Sequence, residues 1–212
     1  MRPRGLSRPS SSASRRPRPE LAVLALVVAA CATARPPAPG MAEAARAASS
    51  WSGSLRVSVR GQDLRGRSQA LVAFRRPDAM RIEIPGPSGA RLVAVAREGR
   101  LTAVLPAERA RLTSAAGPAD FEALLGVALS APELMDLLLG MAPTAARRYE
   151  ADWGETLPRR VRAELADGTR IDARVDAAEA GVELPTAAFD PPPCESCREI
   201  DANEARRLLG GR

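Results

Sequence analysis

Cys194-Glu195-Ser196-Cys197 is the only close pair of thiols in this 212-residue chain, and Cys31 is the third and last cysteine. A Cys-x-x-Cys pair can act as a redox couple, supply half of a metal site, or close a small structural loop. The chain contains no histidine, which excludes a Ser-His-Asp triad, a Cys-His dyad and histidine-ligated zinc or haem. It contains no lysine either, which excludes Schiff-base chemistry and a Walker-type phosphate loop. No spaced carboxylate pair or serine motif stands out. Neither a catalytic residue nor a metal or other cofactor is expected, and the chain reads as a protein that is not an enzyme. In an oxidising compartment Cys194 and Cys197 are expected to form a local disulfide near the C-terminus.

Cys31 sits in a different context. Leu21 to Ala30 are ten apolar or small uncharged residues, preceded by a polar segment rich in arginine and proline. As a helix they would span roughly 15 Å, half of a bilayer core, which is too short for a membrane anchor. A positive segment, a short apolar run and small residues before a boundary describe an export signal over 1–30. Val28-Ala29-Ala30-Cys31 resembles the bacterial lipobox. Small side chains at 29 and 30 let a peptidase reach the backbone, and a thiol at 31 can form a thioether to a diacylglyceryl group. Lipidation of Cys31 is therefore expected, with the mature chain tethered to a membrane by its acyl groups. Ala32 follows, where an aspartate in similar lipoproteins would favour inner-membrane retention, so the expected location is the outer membrane, facing the periplasm. Ser14-Arg15-Arg16 also hints at a twin-arginine signal, and the export route stays open.

The formal net charge of +6 comes mostly from this leader. Residues 1–30 hold six arginines and one acid, leaving 25 basic and 24 acidic groups in the rest of the chain. A net charge of +1 and 3% aromatic residues give neither the field nor the stacking surfaces of a nucleic-acid binder.

The elements that would position a site begin after a proline- and alanine-rich linker over 31–50, in which Glu43 to Ser49 can form a short helix. Leu55, Val57 and Val59 alternate with polar residues, as do Ala70, Val72 and Phe74, then Met80, Ile82 and Ile84. A break at Pro85-Gly86-Pro87-Ser88-Gly89 precedes apolar runs from Leu92 to Ala96 and from Leu101 to Leu105, giving about five antiparallel strands. Two helices follow, one capped by Asp120 and ending at Gly126, the other opened by Pro132 and ended by Gly140. Alternation returns around Tyr149 to Trp153, Val161 to Leu165 and, past the Asp167-Gly168 turn, Ile171 to Val175. Val182 and Leu184 are expected in a last strand. Glu199 to Leu209 reads as a short amphipathic helix capped by Asp201 or Asn203. The fold class is α+β, mainly β, with a strongly curved antiparallel sheet and no βαβ alternation.

This order resembles the LolA/LolB-like lipoprotein localisation factors over residues 51–192. The resemblance rests on Arg81-Ile82 before Gly86-Pro87-Ser88-Gly89, on Phe121 to Gly126, on Leu134 to Leu139 with Gly140-Met141-Ala142-Pro143, and on Leu157-Pro158 with Val161 and the Asp167-Gly168 hairpin. It implies a half-closed curved antiparallel β-barrel with a short helical lid over an apolar cavity. It further implies acyl chains of lipoproteins or lipids as ligands, a periplasmic carrier protein as partner, and a role in lipoprotein or lipid trafficking to the outer membrane. The implied membrane-facing loop is Pro87-Ser88-Gly89. The receptor of the family carries an exposed leucine between its proline and glycine, where this chain has Ser88.

The residues expected to line the cavity are Leu55, Val57, Val72, Phe74, Met80, Ile82, Ile84, Leu92, Leu134, Leu138 and Trp153. The same alternation equally describes a filled core, in which case the fold would serve as a structural or interaction lipoprotein of an envelope complex. Residues 193–212, with Cys194 and Cys197, lie beyond the resemblance. They leave a third reading open, a periplasmic thiol-disulfide protein.

Overall fold

The computed structural model describes residues 36–61 and 65–210, so the export signal, Cys31 and part of the expected turn at 61–63 lie outside the described residues. A short helix α1 (Met41–Ala47) leads into β1 (Ser50–Arg60). The helix stops before Ser49 because the chain there already pairs as sheet: Arg76 N–H donates to the Ser49 carbonyl at 2.8 Å. The meander continues through β2 (Arg65–Arg75), β3 (Ala79–Gly86), β4 (Gly89–Arg97), β5 (Arg100–Leu105) and β6 (Ala110–Ala115). Six strands therefore stand where alternation indicated five. β6 escapes notice because Leu112 is its only bulky apolar residue, the rest being Ala, Arg, Thr and Ser. The segment Pro85 to Gly89 is not a broad break but a tight hairpin turn, with Pro85 and Gly86 still in β3 at a register irregularity. A proline is tolerated in a strand at such a bulge because no regular ladder bond is demanded of it.

Helix α2 (Pro118–Leu125) starts one turn earlier than a cap at Asp120 would put it. Gly117 occupies the cap position and its N–H donates to Asp120 Oδ2 at 3.2 Å, so Asp120 serves the cap from the third helical position. Helix α3 (Ala131–Leu138) has a reciprocal cap. Ser130 N–H donates to Glu133 Oε2 at 2.9 Å and Glu133 N–H donates to Ser130 Oγ at 3.5 Å. Strands β7 (Ala146–Trp153), β8 (Pro158–Leu165) and β9 (Arg170–Ala180) complete the second meander.

β9 pairs with β1, which joins both meanders into a ten-stranded sheet ordered β10-β6-β5-β4-β3-β2-β1-β9-β8-β7. All pairings are antiparallel except the short β10 (Arg198–Glu199), which runs parallel to β6. The sheet does not close, leaving β7 and β10 as its edges. The β1–β9 register shifts between Ser54 and Leu55, and bulges of this kind sharpen twist and curvature. Next to it Gly53 lies so tightly that a Cβ would stand 2.5 Å from the Ala177 carbonyl.

Val182 and Leu184 form no strand. Both edges of β1 are taken by β2 and β9, and the chain after Gly181 instead crosses the outer face of the sheet through a 3-10 turn (Thr186–Phe189). There Phe189 packs with Ala79, Val93 and Val95 as a second, small core, with the Arg75 guanidinium 5.5 Å from its ring centre. The main core lies on the inner face, under α2, α3 and the last helix α4 (Ala202–Gly210). α4 begins after Asp201, whose Oδ1 accepts the Glu204 N–H at 2.7 Å. The described residues all fall within one compact unit.

Candidate functional site

The inner face is fixed by strand register. Leu55 lies opposite Ala70 on β2 and Val175 on β9, and Val57 opposite Ser68 and Ala173, so the alternating apolar residues of adjacent strands point the same way. Above them a cavity of about 520 Å³ remains between the sheet and the three helices. Its volume falls within the roughly 300–1,000 Å³ of small-molecule sites. The strands contribute Leu55, Val57, Val72, Met80, Ile82 and Ile84, and α3 contributes Leu134 and Leu138.

Three expected lining residues lie elsewhere. Phe74 is fully buried and stacks on Trp51, with ring centres 5.7 Å apart and planes 6° from parallel. The pair fills its end of the core solidly. Leu92 is also fully buried, within the packed part of the core on β4. Trp153 lies against Gly140 beyond the end of α3, where a Cβ on Gly140 would be 2.5 Å from the indole. Alternation identifies the inner face but cannot say where along a strand that face is covered directly by another side chain.

Other wall residues were not among those expected to line the cavity. Ala123, Leu124, Leu125 and Val127 come from α2 and its exit, Leu137 from α3, and Val59, Ala70, Ile171 and Ala173 from the sheet. Arg206, Leu209 and Gly210 of α4 close one side, so the tail beyond the family resemblance is part of the cavity wall. Its amphipathic pattern was legible, but the surface it covers was not.

Each helix over the cavity is tied down. Tyr149 on β7 donates its hydroxyl to the Leu137 carbonyl at 3.4 Å, and burial holds that phenol well above its ordinary pKa. Arg76, in the β2–β3 turn, pairs with Asp136 of α3. Ala145 N–H donates to Glu133 Oε1 at 3.4 Å. Burial alone would push the Glu133 carboxyl up. The hydrogen bonds from the Ser130 backbone, its hydroxyl and Ala145 outweigh that and hold it below the ordinary range. Helix α4 is held by Arg91, which donates to the Leu209 carbonyl, and by Arg206, which pairs with Glu122 of α2 at 3.5 Å.

Cys194 and Cys197 form a disulfide with Cα atoms 5.4 Å apart. It is followed by β10 and does not open a helix. Arg111 on β6 donates to the Cys194 carbonyl at 3.3 Å, fastening this loop beside the strand that β10 joins. Pro87 and Ser88 form the turn between β3 and β4, followed by Gly89 as the first residue of β4. Register places this turn at the same end of the sheet as the start of β2, near the cavity residues Ile84 and Arg91.

The outer face of β1, β2 and β7–β9 carries a polar groove of about 830 Å³. Arginines and carboxylates interleave across it: Arg162 with Glu150 at 3.0 Å, Arg170 with Glu164 at 3.2 Å, and Arg160 with Asp172. The hydrogen bond from Arg160 is the main reason the Asp172 carboxyl is held below its ordinary value. Among the described residues no cluster of His, Cys, Asp or Glu has metal-binding geometry, and no helix is long and apolar enough to cross a membrane.

No family model matches this sequence, and no curated protein matches it. Among solved structures, an uncharacterized conserved protein from Thermus thermophilus is similar at 13% identity and a TM-score of 0.43, covering 76% of this chain and 96% of that one. A LolA superfamily protein from Nitrosomonas europaea is similar at 11% identity and TM-score 0.43, with 74% and 98% covered. A domain from Vibrio parahaemolyticus, provisionally described as an outer membrane lipoprotein-sorting protein, is similar at 7% identity and TM-score 0.39, with 71% and 94% covered.

Proposed function

We propose that this chain is a lipid-anchored protein of the outer membrane that holds acyl chains in its inner cavity and serves lipoprotein or lipid trafficking from the periplasmic side. The cavity is the observation that carries the reading. A wall of Leu, Val, Ile, Met and Ala side chains offers an acyl chain burial at about 0.8 kcal/mol per methylene. Such a site works by transfer between apolar environments and needs no reacting group, so the protein is read as a carrier or receptor and not as an enzyme. Lipidation of Cys31 would keep it at the membrane, and a periplasmic carrier would be the natural donor of its cargo.

The interaction-module reading depends on a filled interior, and the volume under α2, α3 and α4 weighs against it. The test is to export residues 33–212 into the periplasm, purify them without detergent and weigh the intact complex by native mass spectrometry. A bound species carrying acyl chains is expected. A ligand-free protein that also accepts no labelled lipoprotein from a periplasmic carrier would overturn the reading.

A further inference from the structure

We propose that the mouth of the cavity is an anion site, and that the ligand is an amphiphile whose negatively charged headgroup sits among Arg67, Arg91 and Arg206 while its chain lies inside. This rests on the acyl-binding reading and adds the headgroup. Among the described residues, the charged residues of the cavity lining are these three arginines, and that lining contains no Asp or Glu. On the outer groove, by contrast, Arg162 pairs with Glu150 and Arg170 with Glu164.

The three residues come from separate elements and all border the cavity. Arg67 stands near the start of β2, Arg91 on β4 beside the β3–β4 turn, and Arg206 on α4. Strand register puts the start of β2 and the start of β4 at the same end of the sheet, the end at which α4 finishes. Each keeps donors to spare. Arg91 uses Nη2 on the Leu209 carbonyl, leaving the rest of a guanidinium fork with five N–H groups. Arg206 pairs with Glu122 at 3.5 Å, with both side chains more than two-fifths exposed, a weak contact that an incoming phosphate or carboxylate can replace. Arg67 has no ion-pair partner among the described residues. The methylene stems of such arginines cover apolar wall while their heads face the headgroup. A neutral headgroup would leave this charge uncompensated.

The test compares binding of palmitate, hexadecyl phosphate and hexadecanol to residues 33–212, read by displacement of a fluorescent fatty-acid probe. Both anions are expected to bind about tenfold more tightly than the alcohol at low salt, the yield of roughly one charge-assisted contact. The gap should narrow as salt rises. Arg67→Gln and Arg206→Gln should each narrow it, weakening the binding of both anions more than that of hexadecanol. Equal affinity for alcohol and anions overturns the headgroup claim and leaves the cavity standing. Failure of all three to bind overturns both. Inorganic phosphate alone should not displace the probe, and displacement as strong as that by hexadecyl phosphate would also overturn the claim.

Discussion

Arg91 on β4 donates to the backbone carbonyl of Leu209, 118 residues further along the chain. This bond lays the end of α4 against the cavity, which Arg91 and Leu209 both border. With Ala205 fully buried, and Leu208 and Leu209 packed against the main core, the C-terminal helix is a third cover beside α2 and α3.

Loosening that cover should speed exchange of whatever the cavity holds. Arg91→Ala removes a charged donor from a half-buried site, and about 1 kcal/mol of stability should go with it. For a domain of this size that is a fall in Tm of about 2–4 °C. Removing residues 198–212 should have the larger effect on release: stopped-flow dissociation of a fluorescent fatty acid should quicken at least tenfold. Unchanged dissociation in the truncated chain would mean that α4 covers nothing that matters.

Gly140 ends α3 at a φ of +83° and meets the Trp153 ring within 3 Å of where a Cβ would stand. Both the left-handed backbone and the indole oppose a side chain there. Gly140→Ala should destabilise the protein by about 1–3 kcal/mol in urea unfolding. An alanine variant as stable as the parent would show that Trp153 moves freely, and the end of α3 would not be fixed as described.

The cap of α3 should give the lid an acid limit. The Glu133 carboxyl titrates below its ordinary value in the folded chain, so the unfolded chain binds the additional proton. Its contribution is fully present above the ordinary glutamate value of about 4.3 and is lost as pH falls through the depressed folded value. Glu133→Gln should cost about 0.5–2 kcal/mol at neutral pH and flatten the dependence of Tm on pH below about 5. Thermal melts of parent and variant at matched pH would check this. An identical acid slope in both would remove Glu133 as its source.

Much of this fold is written in the sequence because one face of the sheet is buried. Leu55, Val57, Met80, Ile82 and Ile84 announce both their strands and the side they bury, and Pro132 and Gly140 mark the ends of α3. β6 is not legible because small residues suffice where a strand is already flanked: Ala110 is fully buried without being bulky. Phe74 and Trp153 look like cavity walls until their partners are known. Whether an aromatic residue faces a void depends on Trp51 and Gly140, residues 23 positions before the one and 13 before the other. The tail shows the same limit more sharply. Its helical period is local information, while the surface it covers is set by β4 and α2.

The central claim is that the space under α2, α3 and α4 is a binding site and not a packing fault. Ala70 and Ala173 face it from β2 and β9. Replacing either with phenylalanine puts a ring into open volume, so stability should fall by less than the 1–3 kcal/mol typical of overpacking a filled core. Equilibrium titration with a fluorescent fatty acid should show at least tenfold weaker binding in Ala70→Phe and Ala173→Phe than in the parent. Undiminished binding in both filled variants would place the ligand elsewhere and contradict the account.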